Sequence, residues 1–210
     1  MKSEINTSFD SSGGEIISLY DKVASSVAGI YEGQNHIREI QRFVKGVPQG
    51  GKILDLGCGS GKDVAIFNSL GFETVGVDGS KNMLREATRR HPDIKVTLGD
   101  VRKLEIPSNF FDGVWSWSVT THLKGEDKRR SLKEVYRVLK KGGLFAQTIW
   151  RGRGLFVYTF HKNVVQRPHF LISVSSWQKL YRETGFVNFN VGYIKVKKGR
   201  GSIYLTAIKK

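Results

Sequence analysis

The feature that most constrains the fold is a short apolar segment that runs directly into a glycine-rich loop. ILDL at residues 53–56 is followed by GCGSGKD, which places Gly57, Gly59 and Gly61 before an amphipathic segment. Glycine lets the backbone turn sharply and lets a ligand lie against the main chain. The pattern therefore predicts a strand, a binding loop at its carboxyl end, and a helix.

Short apolar runs and amphipathic segments alternate through the middle of the chain. Strands are predicted at residues 52–56, 73–77, 94–98, 113–118 and 144–150, and helices at residues 62–70, 81–90 and 127–139. Ser80 and Asp127 are predicted to cap two of these helices. Strands and helices that alternate at this spacing form a parallel sheet with helices on both faces.

The two ends of the chain depart from this alternation. Apolar residues at three- and four-residue steps predict two amphipathic helices within residues 15–47. Near the other end, a predicted helix at residues 176–183 precedes the runs FVNFNVGYIKV and SIYLTAI, which only KKGRG separates. Five residues are too few for a crossover connection, so these two strands must be antiparallel.

The length and spacing favour one domain. The chain has 210 residues, enough for one sizeable core. We expect a flexible tail at residues 1–14 and a single domain at 15–210. Within it, residues 15–47 form a helical cap, 48–150 a cofactor-binding core, and 151–210 an acceptor-side region with the final hairpin.

The spacing of the glycines also distinguishes between the ligands that such a loop can bind. A Walker phosphate loop needs glycine at position 56 and serine or threonine at position 63, where this chain has Leu56 and Asp63. A nicotinamide-binding fingerprint places its third glycine at position 62, which is Lys62 here. The first possibility is excluded, and a nicotinamide-dependent dehydrogenase stays open as the weakest alternative.

Two acidic residues restrict the chemistry of the ligand more than the glycines do. Asp55 stands two residues before Gly57, where a carboxylate would repel a pyrophosphate but attract a cation. Asp78 ends the second predicted strand, 21 residues after Gly57, where an acid accepts hydrogen bonds from the hydroxyls of a ribose. A ligand with a ribose and a positive charge fits both, as S-adenosylmethionine does.

The chain resembles the class I S-adenosylmethionine-dependent methyltransferases. The resemblance rests on five motifs in order: ILDLGCGSG, VGVDGSKNML, LGDVRKL, FDGVWSWSVTTHL and EVYRVLKKGGLF. It implies a Rossmann-like, doubly wound α/β fold whose seven-stranded, mostly parallel sheet ends in a C-terminal antiparallel hairpin. It also implies S-adenosylmethionine as the cofactor and methyl transfer as the reaction.

The resemblance further implies which residues contact the cofactor. Asp55 and the glycine loop would meet its amino acid part, Asp78 its ribose, and Asp100 with Val101 its adenine. The full predicted set is Tyr20, Asp55, Gly57, Cys58, Gly59, Gly61, Asp78, Gly79, Ser80, Met83, Asp100, Val101, Ser116, Trp117 and Ser118. For Tyr20 a core aromatic residue on an amphipathic helix is the alternative, and for the aspartates a solvated strand end or a helix cap.

A general base is needed only if the acceptor loses a proton as it attacks. His122 follows the fourth predicted strand and is the candidate for that role; the alternative is a polar residue that leads into the next helix. The Asn/Asp-Pro-Pro-Tyr/Phe motif of adenine-amine methyltransferases does not occur, and no metal site is predicted.

The net charge of +15 lies entirely in the second half of the chain. Residues 1–105 hold 14 basic and 14 acidic side chains, whereas residues 106–210 hold 20 and 5. The basic residues considered for an anionic partner are Arg151, Arg153, Lys162, Arg167, Lys195, Lys197, Lys198 and Arg200, interleaved with Phe156, Tyr158, Phe160 and Phe170. Such a surface suits RNA or an anionic ligand, while solubility and protection of a sheet edge are the alternatives.

These observations predict a methyltransferase that acts on a small, possibly anionic acceptor. The alternatives are an RNA (tRNA) methyltransferase that uses the basic half and a non-catalytic subunit that binds the cofactor and supports a partner. We expect a cytoplasmic monomer or weak dimer without membrane contact. The reasons are the single cysteine, Cys58, an N-terminus without an apolar run, and the lack of a long apolar segment.

Overall fold

The computed structural model describes residues 14–160, 165–194 and 201–210. The tail expected at residues 1–14 lies outside the described residues, apart from Gly14, which begins the first helix. Lys162 and the basic residues at positions 195, 197, 198 and 200 also lie outside them.

Helices and strands alternate as the sequence predicts. In chain order they are α1 (Gly14–Glu32), α2 (Ile37–Val44), β1 (Lys52–Leu56), α3 (Lys62–Ser69), β2 (Glu73–Asp78), α4 (Lys81–Arg90), β3 (Lys95–Leu98), β4 (Phe111–Trp117), a 3-10 turn (Thr120–His122), α5 (Gly125–Val138), β5 (Leu139–Trp150), β6 (Gly154–Phe160), β7 (Val165–Leu171), α6 (Val174–Thr184), β8 (Phe186–Ile194) and β9 (Ser202–Lys209).

In the described part of the chain, seven strands form one sheet in the order β3-β2-β1-β4-β5-β9-β8. The first five strands of that order pair in parallel, and β9 pairs antiparallel with both β5 and β8. The predicted doubly wound sheet with a C-terminal hairpin is confirmed. The chain order reverses direction at β1 and β4, and ligands bind at such a point, outside the carboxyl ends of the strands.

The two faces of the sheet carry separate cores because successive side chains of a strand point to opposite sides. Leu54, Val114 and Phe145 belong to a cluster that α5 and α6 cover. Ile53 and Trp115 belong to a second cluster that includes residues of α2 and α3. Each layer of helices therefore buries one face of the central strands, which holds their carboxyl ends rigidly in place.

One of the two predicted helix caps is present. The Ser80 hydroxyl accepts a hydrogen bond from the backbone N–H of Met83 at 3.1 Å, and α4 begins where expected. The prediction for Asp127 is wrong, because α5 begins at Gly125 and Asp127 lies in its first turn. There the Asp127 carboxylate pairs with Arg102 at 3.0 Å. The sequence around either residue does not predict this ion pair.

The hairpin of β6 and β7 was not predicted from the sequence. Apart from the main sheet, these strands pair antiparallel, with Phe156 opposite His169 and Tyr158 opposite Arg167. Residues that alternate along a strand share a face, so these four side chains lie on one side of the hairpin.

None of the described helices is both long and apolar enough to cross a lipid bilayer. The longest of them is α1, with 19 residues, and it carries charged residues such as Asp21 and Lys22. Its buried residues Ala24 and Ala28 pack with Met83 of α4. This helix is therefore part of the domain's packing.

Candidate active site

A cavity of about 690 Å³ opens at the carboxyl ends of β1, β2 and β4, and α1, α2 and the β6–β7 hairpin help to enclose it. Most of the predicted site residues line it, namely Tyr20, Asp55, Gly57, Cys58, Gly59, Asp78, Gly79, Ser80, Met83, Asp100, Val101, Trp117, Ser118 and His122. Four of the five sequence motifs thus meet in one place.

Two predicted residues, Gly61 and Ser116, are not among those that line the cavity. Gly61 precedes α3 with φ of 78°, and a Cβ atom there would lie 2.3 Å from Cδ1 of Ile94. Its role is close packing and a left-handed backbone. Ser116 is 1% exposed and alternates with Trp117, so it points into the packed interior.

The glycine loop brings backbone against the cavity. Gly57 has φ of 77°, and its N–H donates to the carbonyl of Val77 at 2.7 Å. Gly59 has φ of 53°, and a Cβ atom at this position would lie 3.4 Å from the ring of Tyr31. Absence of side chains therefore keeps the space between the loop and α1 open.

Asp78 organises this loop. Its Oδ2 accepts the N–H of Gly59 at 2.9 Å, and its Oδ1 accepts the N–H of Ser80 at 2.9 Å. Burial raises the pKa of Asp78, although these two backbone donors oppose the shift. Because a carboxylate oxygen has two lone pairs, both oxygens can still accept a hydrogen bond from a ligand hydroxyl.

Asp55 contributes a buried carboxyl group to the site. It is 2% exposed, and within the described part of the chain no donor forms a hydrogen bond to its carboxylate. Burial raises the pKa of Asp55 well above the usual carboxyl range, and the charges of Asp63 and Asp78 raise it further. A buried carboxylate of this kind is stabilised by a cationic ligand group.

This environment predicts opposite effects of Asp55→Asn on stability and on ligand affinity. A raised folded-state pKa means that stability is lost as pH rises from the unfolded value, about 4, through the folded one. The ligand-free Asp55→Asn variant should therefore unfold at a higher temperature than wild type at pH 8. Its affinity for S-adenosylhomocysteine, which carries an ammonium group, should be lower.

Calorimetric titrations between pH 5 and pH 8 in the same buffers test the second half of this prediction. Wild-type affinity should rise with pH as Asp55 ionises, and the rise should be smaller in Asp55→Asn. An identical pH dependence in both proteins would mean that Asp55 does not bind the ammonium group.

Asp100 is already engaged by a neighbour. Arg102 donates from Nε to Oδ1 at 2.9 Å and from Nη2 to Oδ2 at 2.7 Å. Burial raises the pKa of Asp100, but the hydrogen bonds and charge of Arg102 outweigh it and the pKa is lowered. Arg102 also reaches Asp127. Asp100 therefore remains ionised at the cavity wall, with its orientation fixed.

The helical cap is fastened to the core at two points. The Lys62 ammonium donates to the carbonyls of Glu32, at 2.9 Å, and of Gln34, which tethers the end of α1 to the start of α3. Asp21 of α1 accepts the Ser80 hydroxyl at 2.6 Å and the N–H of Asn82 at 3.0 Å. These bonds hold Tyr20 and Tyr31 over the cavity.

A buried triad of polar groups next to the cavity was not identified from the sequence. Both carboxylate oxygens of Asp63 lie within 2.9 Å of His36 Nε2, and Oδ2 also accepts the indole N–H of Trp115 at 2.8 Å. The His36 ring stacks on Trp117 with 4.0 Å between centroids. His36 directly precedes α2, while its two partners come from α3 and β4, so only the folded chain brings them together.

The other end of the cavity centres on Arg167 of β7. This side chain is 8% exposed, and its Nη1 donates to the hydroxyls of Tyr31 at 2.8 Å and Tyr20 at 3.2 Å. Tyr31 also donates to Tyr20 at 3.1 Å, and Tyr20 lies 3.3 Å from Nε2 of His122. A continuous chain of hydrogen bonds thus links the cap, the hairpin and the 3-10 turn.

His122 is held in one orientation. Its Nδ1 lies 2.7 Å from the carbonyl of Pro168, which can only accept, so Nδ1 carries the proton and Nε2 has the free lone pair. Burial lowers the pKa of His122 to about 4, and the charges of Arg167 and Lys128 act in the same direction. The ring is neutral near pH 7 and accepts a hydrogen bond from Tyr20.

The hairpin contributes aromatic and basic side chains to the same end. Phe156, Tyr158, Arg167 and His169 line the cavity together with Trp150. The sequence places Arg167, Phe156 and Tyr158 on a surface for an anionic partner; in the structure all three line the cavity, where Arg167 is buried and Tyr158 stays partly exposed. The continuous apolar run LFVY at residues 155–158 is the signal that could have predicted the first strand.

Comparisons with known proteins agree with this architecture. A family model described as "Methyltransferase domain" matches residues 54–147, which span β1 to β5. This stretch is a class I S-adenosylmethionine-dependent methyltransferase domain, the class that the five motifs indicated.

Two curated relatives differ in what they act on. The chain is 34% identical to 2-methyl-6-phytyl-1,4-hydroquinone methyltransferase of Synechocystis over 51% of its own length and 34% of that protein. It is 31% identical to tRNA (carboxymethyluridine(34)-5-O)-methyltransferase of Arabidopsis thaliana over 53% of its length and 27% of that protein. The chain thus spans about a third or less of either relative.

Among solved structures, the fold is similar to that of 1,6-didemethyltoxoflavin-N1-methyltransferase from Burkholderia thailandensis, determined with 1,6-didemethyltoxoflavin and S-adenosylhomocysteine bound. The TM-score is 0.76, and the match covers 96% of this chain and 91% of the other at 19% identity. At this identity the likeness concerns the fold.

Proposed function

We propose that the protein transfers a methyl group from S-adenosylmethionine to a small, anionic acceptor held beneath the β6–β7 hairpin. The observation that carries the proposal is the division of the cavity. One end is lined by glycine backbone and the acids Asp55 and Asp78, and the other by aromatic rings and Arg167. The first end suits a cationic nucleoside, and the second an anion.

The residues present fit the cofactor. Asp55 offers a buried carboxylate for the ammonium group, and the oxygens of Asp78 have lone pairs for two ribose hydroxyls. Gly79, Ser80 and Met83 would line the adenosine, with Asp100 and Val101 at the adenine. Bound there, the cofactor supplies an electrophilic methyl group on a cationic sulfur.

The chain's own task is to align the acceptor and to exclude water. Tyr20 and Tyr31 reach over from α1, while Trp117, the last residue of β4, and Ser118, which follows it, also line the cavity. The Lys62 and Asp21 contacts keep α1 in this position. We therefore infer that α1 and the hairpin together enclose the reacting groups.

A small acceptor agrees better with the burial of Arg167 than a large one does. The side chain is 8% exposed and lies behind Tyr20 and Tyr31, where an RNA backbone has no access without opening the cap. RNA remains the alternative, since one relative is named for a tRNA substrate and since Arg151 and Tyr193 are exposed on the surface.

We further propose that His122 acts at the acceptor end, where it was expected as a base. Because its pKa of about 4 makes the ring a poor base near pH 7, the role proposed is to hold the Tyr20 hydroxyl over the cavity. His122→Phe should then lower kcat about 10-fold, the cost of one hydrogen bond, while the affinity for S-adenosylhomocysteine changes little. His91→Phe is the matched control, because His91 follows α4 and does not line the cavity. Equal kcat values for wild type and His122→Phe would exclude the role.

The function is tested by incubating the purified chain and methyl-labelled cofactor with small-molecule, RNA and protein fractions of a cell extract. Label in the small-molecule fraction is the expected result. Label confined to RNA would favour the alternative acceptor. Cofactor binding without transfer to any fraction would identify a supporting, non-catalytic subunit.

A further inference from the structure

The carboxylate of Asp100, just after β3, is held by several donors of one neighbour, Arg102. The backbone N–H of Arg102 donates to Oδ1 at 2.8 Å, and Nη2 donates to Oδ2 at 2.7 Å. Nε lies between the two oxygens, 2.9 Å from Oδ1 and 3.0 Å from Oδ2. The N–H of Lys103 also donates to the backbone carbonyl of Asp100 at 2.9 Å. The main chain and the side chain of Asp100 are therefore both fixed.

Arg102 is in turn anchored to a different part of the chain. Its Nη1 donates to Oδ2 of Asp127 at 3.0 Å, in the first turn of α5. The side chains of Arg102 and Asp127 are 20% and 14% exposed, so water screens this pair less than a pair on the open surface. The planar guanidinium bridges two carboxylates, and its fork suits the geometry of each. It therefore transmits the position of α5 to Asp100.

These contacts leave Asp100 only a small capacity for a ligand. A carboxylate has about four lone-pair positions, and the donors of Arg102 occupy most of them. Oδ1 accepts the backbone N–H as well as Nε, so the remaining capacity is on Oδ2. The Asp100 side chain is still 39% exposed, and it lines the cavity. What the cavity wall offers at this point is one ordered acceptor for one donor.

We propose that Arg102 is a positioning residue that makes the site selective for a purine with an exocyclic amino group. It acts through Asp100, whose Oδ2 accepts one N–H of the adenine amino group. Because the guanidinium has already ordered the carboxylate, binding does not have to restrict that side chain further. The inference rests on the proposed function, which puts adenine at Asp100, and it adds Arg102 and Asp127 as the residues that set the selectivity.

A purely structural role for Arg102 makes a different prediction. If Arg102 only fastened the loop after β3 to α5, its loss would weaken the binding of every nucleoside ligand by the same factor. If it orders the acceptor for the amino group, its loss changes the ratio of two affinities, one for a ligand with that group and one for a ligand without it. The ratio is therefore the decisive quantity.

Calorimetric titration with two ligands measures this ratio. One ligand is S-adenosylhomocysteine, and the other is its deamino analogue, in which a hydrogen atom replaces the adenine amino group. Wild type should bind S-adenosylhomocysteine about 10- to 100-fold more tightly, the contribution of one hydrogen bond to a charged acceptor. Asp100→Ala should reduce the ratio to about 1, since no carboxylate is left to accept the amino group.

Arg102→Met should lower the ratio about 3- to 10-fold, because Asp100 then has to be ordered when the ligand binds. The affinity for the deamino analogue should change little. The double variant Asp100→Ala/Arg102→Met should have the same ratio as Asp100→Ala alone, because Arg102 acts through Asp100. A wild-type ratio in Arg102→Met, or a further fall of the ratio in the double variant, would overturn the proposal.

The matched control is Lys103→Met, which removes the same charge one residue further on. Lys103 is exposed and does not line the cavity, so this variant should keep the wild-type ratio. Arg102→Lys serves if Arg102→Met does not fold, since it keeps the charge between the two carboxylates. Its ratio should also be below that of wild type, because an ammonium group lacks the planar fork. A wild-type ratio in Arg102→Lys would contradict the proposal.

The two ligands also separate failure of this inference from failure of the proposed function. If wild type binds neither ligand, the proposed function fails and the inference fails with it. If wild type binds both ligands with equal affinity, the cofactor site stands, but Asp100 does not accept the amino group and only the inference is wrong.

Discussion

Replacing Asp78 with alanine is expected to abolish most of the affinity for S-adenosylhomocysteine. Two hydrogen bonds from ribose hydroxyls to a carboxylate contribute roughly 1.5–3 kcal/mol each, so their loss weakens binding about 100- to 10,000-fold. The variant also leaves the N–H groups of Gly59 and Ser80 without their present partner. Loop order and ligand contact are therefore lost together.

The matched control for this prediction is Glu73→Ala, at the exposed start of the same strand. The ion pair of Glu73 with Lys52, at 3.7 Å, is at the surface and contributes little. Calorimetry should find wild-type affinity for Glu73→Ala. If Asp78→Ala binds S-adenosylhomocysteine with wild-type affinity, the Asp78 carboxylate does not contact this ligand.

Gly57→Ala is expected to cost the fold several kcal/mol through two separate effects. The left-handed backbone at φ of 77° disfavours any Cβ by roughly 1–2 kcal/mol. The new methyl group would also lie 2.2 Å from Cγ2 and 3.2 Å from Cβ of Val119, which adds roughly 1–3 kcal/mol of overpacking. Rotating the valine side chain does not remove a contact with its Cβ.

Two further variants separate these effects. Gly142 has φ of 79°, and a Cβ atom there would meet no described atom within 4 Å, so Gly142→Ala should show the backbone cost alone. The double variant Gly57→Ala/Val119→Ala should be more stable than the sum of the single variants implies. Denaturant unfolding measures each of these proteins beside wild type, and additive effects would exclude the clash.

The residues around the glycine loop could be predicted because short, contiguous sequence motifs specify them. Gly57 and Gly59 follow one strand with a clear apolar pattern and Asp78 ends the next, and α4 begins at a serine cap. Parallel strands then bring these positions to one edge of the sheet. The residues of four separate motifs therefore line one cavity without any contact having been known beforehand.

The acceptor half could not be predicted because it depends on contacts between distant segments. In the sequence Arg167 is one of many basic residues in the second half of the chain, and only its pairing opposite Tyr158 turns it toward Tyr20, 147 residues away. The same holds for Asp63 with His36 and Trp115. Net charge therefore favours an anionic partner but does not show that Arg167 is buried in the cavity.

A crystal structure of the wild-type protein grown with S-adenosylhomocysteine tests the central claim most directly. We expect ribose hydroxyls on Asp78, the ammonium group on Asp55, and the sulfur facing the end of the cavity that Arg167 and Trp150 line. S-adenosylhomocysteine bound elsewhere, or turned so that its sulfur faces away from that end of the cavity, would contradict this assignment.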